Sequence, residues 1–368
     1  MEINIEKLVP DDWTVEKVNN QIKVYYSNKG RGNSPKPFTL PRVIRVDKEF
    51  MEAIGMYLGD GKLSADDKHL GFASIDKDMA KFILDFFINR FSISLKDVTI
   101  SIRFKEFKEE VLKNWAEVLN ILYYKFKIQT SSRTKNESCD IEISGKVFRI
   151  LFEKIINQIT TSNFIYDKQL RRAFLRGLFA AEGNIGVNYE KNYIVCIRYS
   201  LCYNEEYIST MLKKSLDIES ITYTESKKMS DKSLTVQITN WKNYYKLWKI
   251  DLFHLNTRKE VLFLNKLKLT KFSCKINSEL QKRLFFIKHF SQRQLAFLIG
   301  TQPSMFSNIL NNKRCYINIE YLIHLSKLAS VPLQEVKQNL MEFRVNDITP
   351  INDREFINFI FDLKSYSC

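Results

Sequence analysis

Two stretches of this chain repeat one another, and that repeat constrains the fold more than any other feature. Residues 53–63 read A-I-G-M-Y-L-G-D-G-K-L, and residues 174–185 read F-L-R-G-L-F-A-A-E-G-N-I. Aligned on Gly55 and Gly177, each has an apolar run, then a small residue four places on (Gly59, Ala181). An acid (Asp60, Glu182) and a glycine (Gly61, Gly183) follow. Residues four apart share a helix face, and small residues at that spacing let two backbones approach closely. The repeat predicts helices over residues 46–59 and 167–181, packed side by side through Gly55 and Gly177. The glycine after each acid is expected to end its helix with positive φ. The chain has eleven glycines, and six of them are Gly55, Gly59, Gly61, Gly177, Gly183 and Gly186. Glycine destabilises helix interiors, so this concentration asks for a steric reason.

Side-by-side helices of this kind bring Asp60 and Glu182 together at one end. Two carboxylates there repel each other and oppose the helix dipole. A divalent cation removes the conflict, and an all-oxygen ligand set suits Mg²⁺. Metal ions so held can activate a water and stabilise a leaving oxygen in phosphodiester cleavage.

Bulk properties narrow the classes. A length of 368 residues suits two or three domains. The net charge of +15 points to a polyanionic partner. No run of 18 apolar residues occurs, so no membrane span is expected. The six cysteines form no C-x-x-C pair, which reads as a reduced, intracellular protein without a zinc site. With four scattered histidines, a histidine-based site is not expected.

The strings G-M-Y-L-G-D-G and R-G-L-F-A-A-E-G resemble the LAGLIDADG homing endonucleases, in their single-chain form with two motifs, over about residues 40–265. The resemblance implies an α+β fold: two pseudo-symmetric αββαββα repeats, motif helices at their interface, and β-sheet saddles over the DNA major groove. It implies a monomer that cleaves both strands of double-stranded DNA across the minor groove at a long asymmetric site. The cofactor would be Mg²⁺, as two or three divalent ions, held by Asp60 and Glu182 with the carbonyls of Gly59 and Ala181. It also implies a lysine in each half that polarises the attacking water or the charge developing on phosphate. Lys135 and Lys228 are the candidates, each six residues before the start of an alternating strand, with Lys227 and Lys232 as competitors. Asp76 and Asn204 are candidates for positioning water behind the metal ligands.

The rest of the chain reads as an N-terminal extension (1–40), a first repeat (41–160), a second repeat (161–268) and a C-terminal domain (269–368). Alternation predicts strands at 69–75 and 98–105, a hairpin of 124–133 with 140–144, a strand at 193–201, and a hairpin of 220–226 with 233–239. Strand 98–105 and its following helix have no counterpart in the second half and read as an insertion. Two-stranded ribbons fit the major groove; a sheet with one wet face alternates in the same way.

Residues 291–310, S-Q-R-Q-L-A-F-L-I-G-T-Q-P-S-M-F-S-N-I-L, have the spacing of a helix-turn-helix. They resemble the Cro/lambda-repressor type, in an all-α domain. Ser291 or Gln292 opens the first helix, Ala296 sits at the crossing, Gly300 at the turn, and Pro303 begins the second helix. Gln302, Ser304, Met305, Ser307 and Asn308 are expected to face bases, with Lys313 and Arg314 on phosphates. The same residues also suit a plain helical hairpin. Two other readings of the whole remain beside the endonuclease: a non-cleaving regulator of the WhiA type, and an intron RNA maturase.

Overall fold

The computed structural model describes residues 1–27, 34–63, 68–190, 193–202, 205–228, 230, 232–287, 289–311, 316–346 and 349–366. Asn204, Lys313, Arg314 and most of the basic loop before Pro37 lie outside the described residues. The chain divides into two compact units. The first is Met1–Asn184, Ile197–Ile238 and Leu247–Glu260; the second is Ile185–Cys196, Thr239–Lys246 and Val261–Cys368.

In the N-terminal region, β1 (Glu2–Asn4) pairs with β5 (Val43–Arg45), while β2 (Thr14–Val18), β3 (Gln21–Tyr25) and β4 (Phe38–Pro41) form an antiparallel sheet. The first motif helix, α1 (Lys48–Asp60), starts where Asp47 accepts a hydrogen bond from the Phe50 backbone at 3.1 Å. It is buried from Phe50 to Leu58. It runs straight into β6 (Gly61–Leu63), which is followed by β7 (His69–Ser74), α2 (Lys77–Phe91), β8 (Val98–Phe104), α3 (Glu109–Leu119), β9 (Lys127–Thr130), β10 (Ser138–Ser144) and α4 (Lys146–Thr160). A cluster of aromatic rings, Phe50, Phe86, Phe87, Phe91, Phe148 and Phe152, fills the space between α1, α2 and α4. Burying each ring stabilises the fold by roughly 1.5–3 kcal/mol.

The second motif helix, α5 (Lys168–Glu182), has the same kind of start: Asp167 accepts from the backbones of Gln169 and Leu170 at 2.8 and 3.1 Å. β11 (Gly183–Asn188), β12 (Tyr193–Cys202), α6 (Glu206–Ile218), β13 (Thr224–Lys228), β14 (Ser233–Ile238), α7 (Trp241–Lys249) and α8 (Thr257–Leu269) follow.

Strand order corrects the reading of the first half. The first sheet runs β6-β7-β10-β8-β9 and the second β11-β12-β14-β13. β8, expected to be part of an insertion, is the antiparallel neighbour of β10, as β13 is of β14. The predicted hairpin of 124–133 with 140–144 does not form. β9 lies parallel to β8 at the sheet edge. A parallel pair needs a crossover, and α3 supplies it by burying Leu112, Trp115 and Leu119 against β8, β10 and α2. The extra material of the first half is therefore α3 with β9.

The glycines after the acids also differ from expectation. Gly61 and Gly183 have φ of −71° and −76°, in extended backbone. What requires glycine there is space: a Cβ on Gly61 would overlap the Tyr57 carbonyl, and one on Gly183 the Phe179 carbonyl and ring.

The C-terminal region is not all-α. β15 (Phe272–Ile276), β16 (Ile317–Asn318), β17 (Leu340–Val345) and β18 (Thr349–Pro350) form a sheet in the order β16-β15-β17-β18. Around it run α9 (Ser278–Phe285), α10 (Gln292–Leu298), α11 (Pro303–Leu310), α12 (Ile319–Leu328), α13 (Leu333–Gln338) and α14 (Arg354–Ser365). Phe272 lies 5.7 Å from Phe343 and 6.2 Å from Phe356, ring centre to ring centre, and all three are buried. Among the described residues, no helix is long and apolar enough to cross a membrane.

Candidate metal centre

The site is built by the contact of α1 with α5. A Cβ on Gly55 would stand 2.6 Å from the Phe174 carbonyl oxygen and 2.7 Å from the Leu178 nitrogen, and one on Gly177 would overlap the Glu52 carbonyl. Lower on the same faces, a Cβ on Gly59 would stand 2.5 Å from the Ala181 Cβ and 3.0 Å from the Glu182 Cγ. The helices are in backbone contact along this line, so Asp60 and Glu182 come together at their C-terminal ends. Glu52 on α1 and Arg176 on α5 tie the pair across its length, Nε to Oε1 at 2.7 Å.

Both acids are half-buried. Burial lifts the Asp60 carboxyl to about 6, against the pull of Lys259. Glu182 is lifted to about 7, by burial first and then by the charges of Asp60 and Glu205. This is a negative pair short of compensation, with two carboxylates and helix-end carbonyls as oxygen donors. That donor set fits Mg²⁺, which binds few protein carboxylates and keeps water or phosphate oxygens as its other ligands. Among the described residues, no group of three or more His, Cys, Asp or Glu side chains is arranged to hold a metal ion.

Asp76 lines a cleft of about 310 Å³ together with Asp60, Ser138, Ala181, Arg258 and Lys259. Arg258 grips it with two hydrogen bonds, at 2.8 and 3.0 Å, and Asn256 donates a third at 2.8 Å. Burial works to raise its carboxyl, but these partners outweigh it and hold the group below the usual range. Glu205, beside the undescribed Asn204, is the corresponding acid on the α6 side and acts on Glu182.

The residue the sequence reading missed is Lys259. It is buried, and its Nζ donates to the carbonyls of Phe179, Ala180 and Ala181 at 2.9, 2.6 and 3.2 Å. Asn256 caps the start of α8 by accepting from the Lys259 backbone at 3.1 Å and donates to the Ala180 carbonyl at 3.2 Å. A sequence signal existed: Arg258 and Lys259 open α8, where the helix dipole disfavours cations. The acids they meet explain the exception.

Lys135 is exposed in the β9–β10 connection and lines a neighbouring groove of about 520 Å³ with Arg103, Arg133 and Ser138. Ile75 and Ser138 line both this groove and the acid cleft. Lys228 is exposed at the end of β13, opposite Ser233. In the first sheet the residue at the matching rung is Arg103, opposite Ser138. Lys135, in a connection, and Lys228, in a strand, therefore hold different places in the two halves.

In the second unit, Ser291 and Gln294 form a reciprocal cap at the start of α10. Gly300 turns the chain with φ of 72°, Pro303 opens α11, and Ala296, Phe306 and Ile309 are buried. Gln302, Ser304 and Asn308 are exposed, while Met305 and Ser307 are half-buried.

Residues 169–250 match the LAGLIDADG-like domain. The match takes in α5 from its first turn, Glu182 and Lys228; Asp60 and Lys259 lie outside it. The uncharacterized protein MJ1054 of Methanocaldococcus jannaschii is 28% identical over 166 residues, or 43% of this chain, and the chain spans 16% of its length. Similar solved structures include mesophilic variants of the homing endonuclease I-DmoI, with a TM-score of 0.35 and 14% identity over 57% of this chain and 98% of that one. Another is full-length DUF199/WhiA from Thermatoga maritima, with a TM-score of 0.36 and 12% identity over 77% and 90%.

Proposed function

We propose that this protein is a double-strand DNA endonuclease that cuts phosphodiester bonds with Mg²⁺ at a long, asymmetric site. The observation that carries the reading is the meeting of Asp60 and Glu182 at the ends of two glycine-faced helices, under-compensated and lined by oxygen donors. Asp60, Glu182 and the carbonyls of Gly59 and Ala181 would hold the cation. When bound, it supplies a water of lowered pKa and charge for the leaving oxygen. The chain's own part is positioning. The helix contact fixes both carboxylates, the Asp76–Arg258 pair anchors the start of α8, and Lys259 holds the end of α5. Arg103, Arg133 and Lys135 offer a cationic groove for the DNA backbone, and Lys228 offers a cation on the second sheet. α10 and α11 act as a helix-turn-helix, with Gln302, Ser304 and Asn308 towards bases.

One observation favours a second reading, a non-cleaving regulator: Lys259 already places a cation beside the acids. A single experiment separates the two. The purified protein is incubated with DNA flanking its own gene, with and without Mg²⁺. Cleavage only with Mg²⁺ supports the endonuclease; binding with intact DNA under both conditions supports the regulator.

A further inference from the structure

Lys259 is a buried cation whose three ammonium hydrogen bonds all go to backbone carbonyls. An ammonium has three donors, so none is left over. The site is the negative end of the α5 dipole, and the Phe179 ring lies 5.3 Å from Nζ, adding a cation–π contact. The third carbonyl is that of Ala181, one of the two proposed to ligate metal. Its lone pair on that side is engaged, and a positive charge stands beside it.

The charge balance points the same way. Asp60, Glu182, Asp76 and Glu205 act on one another here, and Arg258 and Lys259 oppose them. Asp76 is neutralised by Arg258 through two hydrogen bonds. Lys259 supplies one positive charge to the remaining acids, where a second divalent ion would supply two in the same place.

We propose that Lys259 stands in for one divalent cation, so that the acid pair of this chain takes a single metal ion, bound by Asp60, Glu182 and the Gly59 carbonyl. The inference rests on the metal-dependent reading above and replaces an expectation of two or three ions. The centre is then asymmetric: an exchangeable metal serves the acid pair, and beside it a fixed ammonium caps the last carbonyls of α5 alone.

The test counts ions without using activity. Metal-free, full-length protein is titrated with Mn²⁺ at neutral pH, and free Mn²⁺ is read by electron paramagnetic resonance. Circular dichroism confirms that each variant is folded. Wild type should bind one Mn²⁺ per chain, and the D60N/E182Q double variant should lose it. K259R should stay at one, because it keeps the charge. K259M and K259Q should each rise to two, because both remove it. Two or more ions on the wild type overturn the inference whatever the variants do, and so does a count of one on a folded K259M or K259Q. If wild type binds no Mn²⁺, or D60N/E182Q binds as wild type does, the acids are not a metal site. The endonuclease reading then fails as well.

Discussion

Gly55 and Leu178 meet backbone to backbone: a Cβ on Gly55 would stand 2.7 Å from the Leu178 nitrogen. Nothing on that side can yield, because the neighbouring atoms are main chain of α5. G55V and G177V should therefore separate the motif helices. The cost should be about 1–3 kcal/mol at the least, the ordinary scale of overpacking. Thermal melts should show a clear drop in Tm for both. An unchanged Tm in both would contradict the backbone contact.

The same helix contact sets the geometry of the acids. D60N and E182Q should each lower cleavage roughly 100-fold or more, since several kcal/mol of charge stabilisation is at stake at about 1.4 kcal/mol per tenfold. DNA affinity should stay within a few-fold, because it comes from phosphate contacts spread over the surface. Cleavage assays and gel shifts on one duplex compare the two effects. Wild-type cleavage by either variant would remove that acid from the chemistry.

Glu219 gives a pH dependence with a definite sign. Burial works to raise its carboxyl, but hydrogen bonds from Arg172 and Arg171 outweigh this and hold it below the usual range. A lowered folded-state pKa adds stability that is present above the ordinary carboxylate range and lost as pH falls through the folded value. E219Q leaves the buried Arg171 without its carboxylate partner. The loss should be on the order of 3 kcal/mol at pH 7. Denaturant midpoints measured from pH 7 downward should keep their gap down to the ordinary carboxylate range and converge only as pH falls below it. A constant gap across that range would show that the pair contributes no linkage.

The α11 surface makes a separate prediction. Each good side-chain contact to a base edge is worth about 1–3 kcal/mol. Q302A and N308A should therefore each weaken binding to the preferred site roughly 10–100-fold. Binding to unrelated DNA, and its dependence on salt, should hold, because neither residue is charged. Footprints should change on one flank. Unchanged footprints in both variants would make residues 291–310 a structural hairpin.

The sequence made some features plain for physical reasons. The motif helices end within two residues of expectation, because a glycine-to-acid pattern on one helix face has one compact solution. Ala296, Gly300 and Pro303 likewise mark the α10–α11 turn. Gly61 and Gly183 were identified for the wrong reason, since a clash with the Tyr57 and Phe179 carbonyls leaves no trace in local propensity. β9 was mistaken for a hairpin arm because alternation does not say which strand is the neighbour, and its four residues are all exposed. β15 and β17 were missed because short strands whose partners lie far along the chain carry little local signal. Lys259 stayed hidden because its partners are helix carbonyls about eighty residues earlier, and no side-chain motif links them.

The second unit draws on three separated stretches, with Ile185–Cys196 the earliest and the last running to Cys368. During synthesis Ile185–Cys196 emerges long before the strands of Val261–Cys368 exist. At about 5–20 residues per second, β15 begins roughly 4–15 seconds after Cys196 and the later strands follow it. Tyr244 bonds the Val195 carbonyl at 2.9 Å, Trp241 packs 6.0 Å from Phe272 and Tyr245 4.8 Å from Phe356, so Val195, Trp241 and Tyr245 each precede a partner made later in the chain. Apolar surface left uncovered on a nascent chain invites aggregation until its partners are made. Production of this protein should therefore depend on translation speed and chaperone supply more than its finished stability suggests.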